Sequence, residues 1–269
     1  MSTPAILGIL NMTEDSFSDG AKYLAREAAL AHADALVEGG ARILDLGAAS
    51  SNPSSKPVAP ETEIARLAAV VPALRSKGYP LSIDTFAPEV QRWALTQDVD
   101  YLNDIQGFPF PDLYPALAGS KAKLIVMHSV QGLGPATAVS VPPAEIYDRA
   151  SRFFEVRLLA LERAGVARER LIVDPGMGLF LGKERDASFT ILRRLPELKK
   201  AFGLPVLVSV SRKSFLRTLV GRDALSAGPV SLAAELFAAA QGADFIRTHE
   251  PAPLRDALKI WARLEGNRP

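Results

Sequence analysis

The 269-residue chain contains no cysteine. That single absence excludes disulfides, Cys-ligated zinc, iron–sulfur clusters and a thiol nucleophile. Charge of one sign is also lacking: 31 Lys and Arg against 30 Asp and Glu leave a formal net charge of +1. No basic field recruits nucleic acid or an anionic membrane. No stretch of 18 apolar residues is present, and the longest candidate, 232–240, is interrupted by Glu235 and reads as a buried helix. The N-terminus has no basic region before its short apolar run, so it reads as a first strand rather than a signal peptide, and a cytoplasmic protein is expected. A P-loop, a GxGxxG after a strand, an HExxH helix and a GxSxG elbow are all missing.

What is present is an alternation. Eight short apolar runs read as strands, at 5–10, 42–46, 80–83, 101–102, 122–127, 171–173, 205–210 and 243–246. Amphipathic segments of helical length lie between them, at 24–38, 61–77, 88–96, 112–118, 143–164, 186–201, 215–220 and 230–241, with a last one at 251–264. Strands alternating with helices imply parallel βα units. Eight units in 269 residues suit one (β/α)8 TIM barrel spanning 1–269, close to the usual size of roughly 250 residues. Two loops are long for such a fold, 11–22 and the Ser- and Pro-rich 47–60. Long loops on a compact domain are commonly lids over a site.

Each apolar run ends in a polar residue, which places functional groups on the C-terminal face of the barrel, where TIM-barrel active sites sit. The first run ends at Asn11, and the second carries Asp45 and leads into Gly47. The next ones end at Asp84, Asn103, His128 and Asp174. The last two end at Ser211 with Lys213, and at Arg247 with His249. A carboxylate at the end of a buried strand is desolvated unless something pairs with it. Asp84 and Asp174 each also suit a helix N-cap, since a proline follows soon after. Two such acids on one rim, with Asn103 between them, suit a flat heterocycle bearing several N–H donors. Arg247 and His249, two apart, project to one side of an extended strand and form a candidate anion clamp. The turn DPGMG at 174–178 lets backbone approach a ligand closely. His32 falls inside a helix and carries no assigned role.

These motifs resemble those of the dihydropteroate synthases. The match runs the length of the chain: GILNMTEDSFSDG at 8–20, IDTFAPEV at 83–90, YLNDIQGF at 101–108, VMHS at 126–129, VDPGMG at 173–178, SVSRKSFL at 209–216 and IRTHEP at 246–251. The resemblance implies a pterin-binding barrel that joins 7,8-dihydropterin-6-ylmethyl diphosphate to 4-aminobenzoate, giving 7,8-dihydropteroate and diphosphate. By position, Asp84, Asn103, Asp174 and Lys213 would hold the pterin. Asn11, Arg247 and His249 would hold the diphosphate, with Mg2+ near Asn11. Ser211 and the loop residues Ser51, Asn52 and Pro53 would form the aminobenzoate side. Asp84, Lys213, Arg247 and His249 are the expected catalytic set, and a homodimer through the later helices is implied.

The other readings are a corrinoid-linked methyltetrahydrofolate methyltransferase and a pterin-binding protein without activity. A methyl donor brings no diphosphate, so the 11–20 motif and the Arg247/His249 pair speak against the former. Two departures from ordinary synthases mark a branch. The second loop has Ser50-Ser51-Asn52-Pro53 in place of Ser-Thr-Arg-Pro. After the DPG turn come Leu179-Phe180-Leu181, with Lys183 two residues late for the usual Phe-Gly-Lys. Both resemble the sulfonamide-insensitive enzymes of acquired resistance. Phe180 would narrow the aminobenzoate pocket against a bulkier sulfonyl group, although the same residue also suits a core aromatic.

Overall fold

A computed structural model describes residues 3–12, 22–50, 55–224 and 226–266. Eight parallel strands form one sheet: β1 (Ala5–Asn11), β2 (Ile43–Gly47), β3 (Leu81–Asp84), β4 (Tyr101–Asp104), β5 (Lys123–Met127), β6 (Leu171–Asp174), β7 (Leu207–Val208) and β8 (Phe245–Thr248). Their spatial order is β6-β5-β4-β3-β2-β1-β8-β7. A parallel bridge between Val173 and Val206 joins the two ends and closes the barrel. The expected (β/α)8 architecture is therefore the one observed. Around it pack α1 (Lys22–Glu38), α2 (Pro60–Ser76), α3 (Pro88–Thr96), α4 (Tyr114–Gly119), α5 (Ile146–Arg163), α6 (Arg185–Arg193), α7 (Leu195–Phe202), α8 (Ser214–Val220), α9 (Gly228–Ala240) and α10 (Pro251–Leu264).

The two-residue period of a strand decides what fills the barrel. Leu7, Ile43, Ile125, Ile172 and Leu207 point inward as one apolar layer, with Tyr101 and Phe245 against it. Two residues farther along the same inward faces stand Asp45, Asn103, Met127, Asp174 and Arg247. The apolar layer seals the barrel, and the polar layer above it forms the floor of the site. The outward residues, among them Leu10, Leu44, Leu46, Ile83, Leu102 and Val126, join the helices in a larger core. Each such buried side chain contributes roughly 1.5–3 kcal/mol. Gly8 lets α1 approach β1, because a Cβ there would fall 2.9 Å from Ala41 Cβ and 3.2 Å from Leu36 Cβ.

Three expected elements differ. The helix expected at 186–201 is two helices, α6 and α7, broken at Arg194. Pro196 has no N–H and its ring clashes with the preceding turn, so the helix restarts there. The seventh strand pairs as a ladder only at Leu207–Val208. The eighth begins at Phe245, just after the point where the N–H groups of Asp244 and Phe245 converge on the Val206 carbonyl at 2.9 and 3.1 Å and the Asp244 carboxylate accepts the Val206 N–H at 2.8 Å. Among the described residues no helix is long and apolar enough to cross a membrane.

Candidate active site

The strand ends converge on one cavity of about 390 Å3, lined by Asn11, Asp84, Phe180, Arg212, Lys213, Ser214, Arg217, Arg247 and His249 among others. Its floor is acidic. Arg247 Nε donates to Asp45 Oδ2 at 2.5 Å, and Arg247 Nη2 donates to Asp84 Oδ2 at 2.7 Å. Arg247 thus lies between the two acids as well as facing the cavity. Asp45 is wholly buried, and the Arg247 side chain is 15% exposed. The Asn103 amide nitrogen lies 3.5 Å from Asp45 Oδ2. Two buried acceptors on this floor, Asp45 Oδ1 and Asn103 Oδ1, have no partner. Buried acceptors left unmade are costly, and these two stand next to the cavity wall, since Asp45 is hydrogen-bonded to the cavity-lining Arg247 and Asn103 adjoins Asp45.

Burial raises the Asp84 carboxyl above the ordinary carboxylate range, against the pull of Arg247. Burial likewise lifts Asp174 to about 6, opposed by the Gly176 N–H and by Lys213. Neither acid caps a helix: α3 is preceded by Ala87, and the 3-10 turn Gly178–Leu181 by Met177. Asp174 instead folds its own turn. Its Oδ1 accepts the Gly176 N–H at 2.8 Å. Gly176 has φ +74°, and a Cβ there would fall 2.4 Å from the His128 carbonyl. His128 is buried, with Nδ1 3.2 Å from the Pro175 carbonyl. Burial lowers its pKa to about 4, so the ring is neutral and braces the DPG turn. Asp104 does the same for the turn after β4, accepting the N–H groups of Gln106 and Phe108 at 2.8 Å each.

The opposite rim is basic. Lys213 precedes α8 and is pushed down to about 8, first by burial and then by Arg247. Its Nζ stands 5.0 Å over the Phe180 ring, an attractive cation–π arrangement. Phe180 is 5% exposed and packs with Ile105, Met127 and Ala136, so it is a core aromatic and a cavity wall at once. His249 Nδ1 lies 3.0 Å from Ser211 Oγ, and the His249 backbone N–H donates to the same oxygen at 3.2 Å. In the tautomer in which the Ser211 hydroxyl donates to Nδ1, the proton of the neutral ring sits on Nε2. Burial, then Arg247, Arg212 and Lys213, lower the His249 pKa to about 3. Lys213 and Arg217 face the cavity with no carboxylate at ion-pair distance among the described residues, which favours an anionic ligand.

The structure brings Asn11, Asp84, Phe180, Lys213, Arg247 and His249 to one cavity, with Asn103 and Asp174 on the floor beside them. Ser211 lies beneath His249, and it is Ser214, one turn on, that reaches the cavity. Ser51, Asn52 and Pro53 lie outside the described residues, as does most of the 11–22 loop. Asp45 was the acid not singled out for the site, although its inward register was readable from Ile43. No cluster of three or more metal-ligating acids or histidines occurs among the described residues.

Residues 7–249 match the pterin-binding enzyme family. The chain is 55% identical over 260 residues to the type-2 dihydropteroate synthase of Escherichia coli, covering 97% of this chain and 96% of that protein. The chain belongs to the dihydropteroate synthases. The type-3 enzyme of Escherichia coli is 52% identical over 259 residues, covering 96% of this chain and 98% of that protein. Among solved structures, Xanthomonas albilineans dihydropteroate synthase with 4-aminobenzoic acid superposes with a TM-score of 0.88 at 36% identity, over 97% of this chain and 93% of that one. The same enzyme in complex with 7,8-dihydropteroate gives 0.82 at 32%, with the same coverage. As a dihydropteroate synthase, the chain is a transferase that joins the pterin diphosphate to 4-aminobenzoate. The relatives give no support to a corrinoid-linked methyltransferase or an inactive pterin-binding protein.

Proposed function

We propose that the two ends of the cavity divide the reaction between them. Asp45, Asp84, Asn103 and Asp174 hold the pterin by accepting its N–H groups, and the observation that carries this is the pair of unpartnered buried acceptors, Asp45 Oδ1 and Asn103 Oδ1. Asn11, Arg247 and His249 receive the diphosphate. Lys213 lies between the two, within the field of Asp84 and Asp174. The donor set at Asn11 fits Mg2+ that arrives with the diphosphate: one amide oxygen from the protein, the rest from phosphate and water. Bound there, the ion would neutralise charge on the departing diphosphate.

The arylamine is neutral and already nucleophilic near pH 7, so no strong base or thiol is required. Its nitrogen forms a bond to the pterin methylene as the C–O bond to diphosphate breaks, and the nitrogen then loses a proton. Positive charge developing at the methylene spreads into the pterin ring, where the floor carboxylates offset it. His249 Nε2–H and the Arg247 guanidinium meet the charge developing on the leaving group. Catalysis rests on positioning and electrostatics. Purified protein given both substrates and Mg2+ should release diphosphate and form dihydropteroate, whereas pterin binding without turnover would refute this reading.

We further propose that Phe180 penalises sulfonamides. A sulfonamide carries a tetrahedral sulfur and a further substituent where the substrate has a compact planar carboxylate, and Phe180 walls that cavity. Phe180→Ala should increase inhibition by sulfamethoxazole by about 10- to 200-fold, the range for size discrimination in an apolar pocket, with little change in kcat. A wild type already inhibited as strongly as ordinary synthases would remove the assignment.

A cytoplasmic homodimer completes the proposal. Leu219, Val220 and Phe237 are 60%, 47% and 40% exposed. They border an apolar groove between α6, α8 and α9 that a second copy would cover. Light scattering that shows a monomer at micromolar concentration would refute the dimer.

A further inference from the structure

The basic rim holds one cation that neither the floor acids nor the diphosphate group explains. Arg217 lies on α8, one turn after Ser214, and lines the same cavity as Phe180 and Leu179. Its Nε is buried and has no hydrogen-bond partner. Among the described residues no carboxylate pairs with it, whereas Arg247 is tied to Asp45 and Asp84, and Arg212 lies 3.6 Å from Glu250. A cation facing a cavity without an acid leaves its desolvation uncompensated until an anion arrives.

The reaction brings two anions to this cavity, the diphosphate and the carboxylate of the aryl substrate, and position distinguishes them. The diphosphate end is marked by Arg247 and His249, on β8 and just after it. The pterin end is marked by Asp84 and Asp174, the last residues of β3 and β6. Arg217 follows Ser214 on α8, and Ser214 and Leu179 also line a neighbouring cavity that Asn11, Asp84, Arg247 and His249 do not line, which sets them on the Phe180 side, the side proposed for the aryl substrate. Only the carboxylate of that substrate is left for it.

We propose that Arg217 binds the carboxylate of 4-aminobenzoate, with Ser214 beside it, so that this enzyme selects its aryl substrate by charge as well as by bulk. A carboxylate offers two anionic oxygens in a plane that a guanidinium fork matches. A sulfonamide offers tetrahedral oxygens of lower charge. Phe180 excludes by size, and Arg217 rewards the anion.

The inference rests on dihydropteroate synthase activity and is tested by comparing 4-aminobenzoate with its neutral isostere 4-aminobenzamide. In the wild type the acid should be strongly preferred in kcat/KM. Arg217→Gln should raise KM for 4-aminobenzoate by about 10- to 100-fold, the range of a hydrogen bond to a charged group. It should leave KM for the pterin diphosphate and kcat unchanged, and the preference for acid over amide should collapse by the same factor. Arg217→Lys, which keeps the charge but loses the fork, should retain part of it and serves equally if the glutamine variant fails to fold. An unchanged acid-to-amide preference would overturn the proposal, as would a KM rise confined to the pterin diphosphate. A wild-type chain that makes no dihydropteroate would be a different failure, that of the activity itself.

Discussion

The floor and the rim of the cavity handle charge in opposite ways. On the floor, Arg247 is locked between Asp45 and Asp84 at 2.5 and 2.7 Å, so that its charge is met within the protein. On the rim, Lys213, Arg217 and His249 face the same space with no carboxylate of their own among the described residues, and the Nε atoms of Arg212 and Arg217 are buried without partners. In the proposed division the floor takes a neutral, flat ring that satisfies its leftover acceptors, and the rim takes the anions. The split follows from where each group sits in the chain. Floor residues lie on strands, fixed by the barrel register. Rim residues lie in the segments that follow β7 and β8.

The largest effect is expected from breaking the floor's internal balance. Arg247→Ala leaves two carboxylates facing each other without a cation, and loss of one member of a buried ionic cluster costs roughly 3–5 kcal/mol. Urea denaturation at pH 8 should show that loss, and adding Asp45→Asn should recover part of it. A variant as stable as wild type would mean that the ion pairs do not hold the floor. Next in size is Asp45→Asn alone, which removes an acceptor charge from the ring site. Affinity for 6-hydroxymethylpterin should fall by about 10- to 100-fold, read by calorimetric titration, while 4-aminobenzoate binding is unaffected.

A smaller effect sharpens the contrast through pH. Asp174 is raised to about 6 and Asp84 is also raised, both first by burial. The empty folded protein therefore binds more protons than the unfolded chain between the ordinary carboxylate range and that value. The stability these groups contribute is greatest at low pH and is lost as pH rises through about 6. Pterin N–H donors favour the ionised carboxylates, so binding should release protons, and affinity should climb as pH rises through the same window. Titration in two buffers of different ionisation enthalpy measures the release. Proton uptake would show that the floor binds the ring in its protonated form.

Much of the floor was readable from the sequence because a strand has only two faces. Once Ile43 points into the barrel, Asp45 must as well, yet its place before the end of the apolar run disguised it as part of the strand. Asp84, Asn103 and Asp174 stood out because each ends its run. The roles of His128 and Asp104 could not be read in advance, because bracing a turn depends on which carbonyl or N–H the chain returns to that side chain. Arg247 was legible as a cation at the rim. Its bond to Asp45 spans 202 positions and appears only when β8 closes against β1 and β2. Ser211 and Ser214 are one helical turn apart, and the point where β7 gives way to α8 decides which of them reaches the cavity. The break at Pro196 was missed because the apolar period continued across it.

The division between floor and rim is tested most directly by titrating two ligands that differ only in the anion, 6-hydroxymethylpterin and its diphosphate, into the wild type, Asp174→Asn and His249→Ala. Asp174→Asn should weaken both ligands by the same factor, because the ring is common to them. His249→Ala should weaken the diphosphate alone. Equal losses for both ligands in His249→Ala, or an unaltered affinity for the bare pterin in Asp174→Asn, would contradict the division.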